Sequence, residues 1–196
     1  MKIFCSILLF FMCLTVNAQV PTSADASSLH FLGIPMNLPL DAFVDSLHIR
    51  GFKDGATLLP ELRNENVTYL SGRYQKVNSN IALHTTSTQQ IDTLRVYLLN
   101  VNNPILSYKI HNHFYRTQYG EPIFDNFYDV KLVDREPKLQ LAADPFITTF
   151  RLTGGIMQME LRYDARLHDY LYTLLFLPTA NAQPVLSPED DSVIEW

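Results

Sequence analysis

The sequence predicts an α+β fold: one antiparallel sheet with helices on one face, built from two tandem units of a helix followed by three strands. Three observations predict it. Two segments carry apolar residues at helical spacing and end at a glycine. Each is followed by three runs of β-forming residues separated by turn signals. The runs also recur at matched spacing, since Gly72 to Leu94 and Phe150 to Tyr172 both span 22 positions, and residues 93–99 match 171–177 by pattern. A helix and three strands make a thin core alone, whereas two such units side by side can share one sheet.

Residues 1–18 read as an export leader. Lys2 supplies a short basic start, residues 3–16 an apolar stretch, and Val16-Asn17-Ala18 a small-residue cleavage site. A membrane anchor needs about 20 apolar residues, more than this run holds. A lipidated cysteine would need small residues ahead of Cys13, where Phe10, Phe11 and Met12 stand. Cleavage after Ala18 is therefore expected, with a periplasmic or extracellular destination and no transmembrane segment afterwards. Both cysteines, Cys5 and Cys13, lie in the leader, so the exported chain would have no thiol, disulfide or cysteine-ligated metal. Loss of Lys2 takes the 15 basic residues to 14 against 20 acidic ones, a net charge of −6. No basic run exists, which disfavours nucleic acid and anionic membrane surfaces as partners.

Residues 19–30 are small and polar and read as a flexible lead. Phe31-Leu32-Gly33-Ile34-Pro35-Met36-Asn37 follows as a short edge strand, because Gly33 and Pro35 exclude a helix interior. Helix one sets Leu40, Phe43, Val44 and Leu47 on one stripe, with Asp41 and Asp45 off it. Gly51 caps its end and Phe52 folds back onto it. Strands come at 67–77, 81–87 and 91–99, the last alternating Leu94, Val96 and Leu98 with Thr93, Arg95 and Tyr97. Asn78-Ser79-Asn80 and residues 87–90 are the expected turns.

Helix two has both ends written into the chain. Asn103 suits the N-cap, Pro104 the first helical position, and Gly120 with Pro122 the stop. Leu106, Ile110, His113, Phe114 and Thr117 predict its buried stripe, and Gly120 is expected to be equivalent to Gly51. Residues 123–144 show little pattern beyond a short strand near 127–133, and carry Asp125, Asp129, Asp134, Glu136 and Asp144. The second set of strands falls at 146–153, 155–163 and 170–177, with Gly154-Gly155 as a hairpin signal. In the middle strand Met157, Met159, Leu161 and Tyr163 point one way, and Gln158, Glu160 and Arg162 the other. The apolar set is the surface offered to helix two, through Leu106, Ile110 and Phe114. Gln158, Glu160 and Arg162 would then look outward from an open face, the candidate binding surface. One domain is expected over 31–178, with units 31–101 and 102–178. An acidic, proline-containing tail over 179–196 ends in Val193, Ile194 and Trp196.

No catalytic, metal or cofactor signature stands out. His111 and His113 are two apart on a helix and diverge, whereas a helical metal pair needs i, i+4 spacing. His113 fits a partly buried side chain better. Asp41, Asp45 and Asp54 read more simply as a solvated face than as paired catalytic acids. His84, Ser87 and Asp92 share one hairpin without a nucleophile elbow. Asp134, Glu136, Asp144 and the tail acids lack the spacing of a calcium loop. Of ten tyrosines, Tyr115, Tyr119, Tyr163, Tyr170 and Tyr172 crowd the second half. Any that are exposed suit contact with a protein or a glycan, since the side chain joins apolar area to a polar tip.

Three pieces carry a family likeness: Phe31-Leu32-Gly33-Ile34-Pro35, then Phe43 and Leu47 followed by Gly51-Phe52, then Tyr119-Gly120-Glu121-Pro122. Behind an export leader, they resemble a group of small secreted proteins of unknown function from Gram-negative anaerobes, which read F-x-G-I-P, L-x-x-x-G-F and Y-G-x-P. The resemblance covers most of 31–177 and rests on caps and turns. It implies export and supplies no catalytic residues. The layout is also similar to that of the beta-lactamase-inhibitor protein and of small outer-membrane assembly lipoproteins, which implies a fold and no activity. Two functions stand open. One is a non-enzymatic exported module that binds a protein or polymer through the open sheet face or the tail. The other is a hydrolase-type enzyme using carboxylates of the 123–144 segment, which a concave pocket with two close carboxylates would mark.

Overall fold

The computed structural model describes residues 28–56, 67–127 and 141–179. The expected leader, and the tail from residue 180, lie outside them. In chain order a hairpin of β1 (His30–Phe31) and β2 (Ile34–Pro35) leads to helix α1 (Leu40–Ile49). Strands β3 (Lys53–Asp54), β4 (Thr68–Tyr74), β5 (Val77–Thr85) and β6 (Ile91–Leu98) follow. Helix α2 (Pro104–Tyr119) then precedes β7 (Phe124–Asp125), β8 (Phe146–Leu152), β9 (Gly155–Asp164) and β10 (Asp169–Pro178). Residues 141–143 are helical. Strands β3 to β10 form one antiparallel sheet of eight, in the order β3-β4-β5-β6-β10-β9-β8-β7. The fold class is the expected α+β one. The order reads alike from either edge, a two-residue strand and then three long ones, and the halves meet where β6 pairs with β10. There Leu94 faces Phe176, Val96 faces Leu174 and Leu98 faces Tyr172.

Helix α1 forms on the expected stripe. Phe43 and Leu47 are fully buried, and Leu40 and Val44 pack partly against the same core. Its end is closed by two bonds: the Gly51 N–H donates to the His48 carbonyl at 2.9 Å and the Phe52 N–H to the Leu47 carbonyl at 3.1 Å. That pairing needs a left-handed residue, and Gly51 has φ +88°. Phe52 then turns in against β4, where Gly72 makes room for it; a Cβ on Gly72 would lie 2.4 Å from Phe52 Cδ1.

Helix α2 starts as expected, with the Leu106 N–H donating to Asn103 Oδ1 at 3.1 Å and Pro104 in the first turn. Its buried side corrects the sequence expectation. Leu106, Ile110 and Phe114 are 50, 57 and 49% exposed, and His113 and Thr117 are exposed too. Tyr108, Asn112 and Tyr115 face the sheet instead. At about 100° per residue, the two sets lie on opposite sides of the helix. The sheet below offers hydroxyl and carboxylate partners, which Tyr and Asn can use and Leu and Ile cannot. Nor is Gly120 the equivalent of Gly51. It has φ +85° and ψ −162°, and closes the helix through a single bond from its N–H to the Arg116 carbonyl.

Three local expectations also change. Residues 31–35 are no edge strand of the main sheet but a separate hairpin, with His30 opposite Pro35 and Phe31 opposite Ile34. The hairpin lets Phe31 enter the core, stacked on Tyr74 at 5.5 Å and edge-on to Phe176 at 5.2 Å. Leu29, expected in the flexible lead, is buried with it. The β4–β5 turn is Gln75-Lys76, both at positive φ, so Asn78, Ser79 and Asn80 lie inside β5. The strand expected near 127–133 lies outside the described residues but for Phe127; the short strand described before β8 is Phe124–Asp125.

Candidate binding face

Strand β9 alternates as its sequence requires. Met157, Met159 and Leu161 are fully buried on the helix side, and Gln158, Glu160 and Arg162 occupy the other face. Strand register sets their neighbours. Arg95, Leu175, Gln158 and Thr149 form one row across four strands; Tyr97, Thr173, Glu160 and Ile147 form the next; Leu171 stands beside Arg162. Two apolar clusters share this face, one of Ala82, Tyr97 and Leu171 and one of Ile156, Leu175 and Leu177.

Exposure divides the three predicted residues. The side chains of Glu160 and Arg162 keep 22 and 41% of their surface, but Gln158 is only 5% exposed. Gln158 sits well inside the sheet, with β10 and β8 on either side, and cross-strand neighbours about 5 Å away crowd it. Its Oε1 is buried and makes no hydrogen bond among the described residues, and the same holds for Arg95 Nε and Arg162 Nε. Glu160 Oε1 lies 3.6 Å from Arg162 Nε, close enough for attraction of charge but too long for a hydrogen bond. A buried polar group without a partner costs about 1–3 kcal/mol, and native folds leave few of them. The face therefore exposes parts of Glu160 and Arg162, above an amide oxygen and two guanidinium Nε atoms that make no hydrogen bond among the described residues, with apolar side chains beside them. Where β9 ends, Asp164 pairs with Arg166 Nη2 at 2.9 Å. The hydrogen bond from Arg166 holds its carboxyl down to about 2.

The acids of the 123–144 segment are arranged otherwise. Asp125 accepts from Thr148 Oγ1 and from the Phe127 N–H, each at 2.9 Å, and forms an ion pair with Arg116. Asn112 Nδ2 donates to Thr148 Oγ1 at 3.0 Å, and Asn112 Oδ1 accepts from Arg116 Nε at 2.8 Å. Since the one Thr148 hydroxyl proton goes to Asp125, Tyr108 is the donor in its 2.7 Å contact with Thr148. Arg116 also pairs with Glu121. This is a satisfied clasp between α2 and the sheet edge. Asp144 is exposed, and Asp129, Asp134 and Glu136 lie outside the described residues.

The histidines separate as their spacing predicts, though His113 is exposed rather than partly buried. His111 Nδ1 lies 2.7 Å from the Tyr172 hydroxyl, and burial lowers its pKa. Burial also raises Tyr172 well above the usual phenol value and pushes Tyr115 up to about 12. Of the expected solvated acids, Asp54 in β3 meets His48 Nε2 of α1 at 2.9 Å. Two clefts border the β1–β2 hairpin. One of about 460 Å³ is lined by Leu29, His30, Tyr119 and Arg151, and one of about 320 Å³ by Met36, Gln90, Asp92 and Thr179. Neither holds two carboxylates among the described residues, and no cluster of three metal-ligating side chains occurs among them. No described helix is long and apolar enough to cross a membrane.

Arg95, Tyr97, Thr173 and Leu175 complete the face, and sequence reasoning did not name them with Gln158. Alternation in β6 placed Arg95 and Tyr97 on one side; only the β6–β10–β9 register brings them to Gln158 and Glu160. Comparison with protein-family profiles, characterised proteins and solved structures finds no match.

Proposed function

We propose that this chain is an exported binding module without catalytic activity, and that it engages a protein or glycan through the sheet face on which no described helix packs. One observation carries the proposal: among the described residues Gln158 Oε1, Arg95 Nε and Arg162 Nε are buried without a hydrogen bond, on the face that also holds Tyr97, Leu171 and Leu175. With these side chains turned outward, a partner that supplies acceptors to the guanidinium groups and a donor to the amide makes the bonds that the fold leaves unmade. The apolar neighbours add buried area around them. The leader at 1–18 and the likeness to small secreted proteins support a periplasmic or extracellular setting. The mirrored strand order and the matched spacing of the two helix-plus-three-strand units support an internal repeat, whose doubling of the sheet yields so wide a face.

The test is a pull-down from periplasmic extract with residues 19–196 as bait, beside an Arg95→Ala/Gln158→Ala double variant of unchanged melting temperature. A partner held by the parent and lost by the variant is expected. Equal capture by both would remove this face from the proposal. Intact mass of the exported chain checks the leader: cleavage after Ala18 is expected, and a mature chain that keeps Cys13 or carries lipid there overturns it.

A further inference from the structure

The ridge of α2 that faces away from the sheet has no use in the binding reading. Leu106, Ile110 and Phe114 stand at i, i+4 and i+8, each about half exposed. Such a ridge is the kind of helix surface that packs against another apolar element. Helix α2 contains no Asp or Glu, and Lys109 is exposed beside the ridge. The chain carries a segment of matching chemistry. Residues 180–196 hold Glu189, Asp190, Asp191 and Glu195 and no basic residue, with Val193, Ile194 and Trp196 among them.

The point of departure fits as well. The segment leaves the fold at Thr179, whose N–H donates to the Gly154 carbonyl at 2.8 Å, in the β8–β9 turn. Tyr119, the last residue of α2, lines one cleft with Thr153 of that same turn. Residues 180–192 can extend about 40 Å, farther than the roughly 24 Å length of a 16-residue helix. We propose that this segment lays Val193, Ile194 and Trp196 on the Leu106–Ile110–Phe114 ridge of its own chain, with its carboxylates along the helix that has none.

Trp196 is the sole tryptophan, so its fluorescence reports on this segment alone. In the full chain its emission is expected to be blue-shifted from that of the urea-unfolded chain and protected from acrylamide. Ile110→Asp should move the emission to the red and abolish the protection without lowering the melting temperature, and Phe114→Ser repeats the test should Ile110→Asp fold poorly. Ile49→Asp, at an exposed position of α1, should change nothing. Emission like that of the unfolded chain overturns the proposal, and so does a blue shift that both ridge variants leave in place. A blue shift that grows with protein concentration assigns the ridge to a second copy and overturns it too.

Discussion

Helices α1 and α2 each precede a two-residue strand and three long ones, yet different chemistry holds them. Helix α1 buries Phe43 and Leu47, which need only an apolar surface. The hydrophobic effect has no direction, so spacing alone shows which side of α1 is buried. Helix α2 buries Tyr108, Asn112 and Tyr115, and these side chains reach polar groups on the sheet: Thr148, Asp125 and Tyr74. Hydrogen bonds have direction and range. Which side of α2 is buried therefore depends on what β4, β7 and β8 place beneath it. An apolar stripe predicts the buried side of a helix only where nothing polar lies below to compete.

Truncations should separate the two helices most widely. Phe43→Ala is expected to lose about 3–5 kcal/mol, as a fully buried phenylalanine does, while Phe114→Ala should lose less than about 1 kcal/mol. Equal losses in urea denaturation would mean that α2 is turned over. Asn112→Leu sharpens the contrast, because apolar-stripe logic expects a gain from it. It should instead lose about 2–3 kcal/mol, since Thr148 loses a buried bond and Arg116 a partly buried one. A variant as stable as the parent would show that the clasp is dispensable.

The two helix ends come next in size. Gly51→Val and Gly120→Val should each lose about 1–2 kcal/mol from backbone strain at positive φ. Gly51→Val should also loosen Phe52, visible as faster amide exchange at the end of α1, with no counterpart at α2. Identical exchange changes at both ends would restore the equivalence that the bond patterns deny.

The smallest effect is in pH dependence, which the α2 half should dominate. Burial lowers the pKa of His111, so the unfolded chain takes up that proton first. Stability should fall as pH drops below about 6.5, and His111→Phe should flatten that slope. On the alkaline side Tyr115 is pushed up to about 12. Its contribution is whole below about pH 10 and is lost as pH rises from there towards the folded value; Tyr115→Phe should remove that part of the loss. Melting curves across pH that match the parent for both variants would place the titrating groups elsewhere.

By itself the sequence determined the order of the main elements, the stop of α1 and both ends of α2, and the alternation that sets Met157, Met159 and Leu161 against Gln158, Glu160 and Arg162. Each of these depends on residues within a turn or two: a cap, a proline, a glycine, a period of two or of 3.6. The tertiary structure decided which side of α2 is buried, that Phe31 leaves the main sheet for its own hairpin, and that Gln158 Oε1 is buried beside Arg95, Leu175 and Thr149 with no hydrogen bond among the described residues. These outcomes depend on register between strands far apart in the chain and on pairings such as Tyr108 with Thr148. No local pattern encodes them, because the energy of a buried polar group is set by the partner that the rest of the fold brings to it.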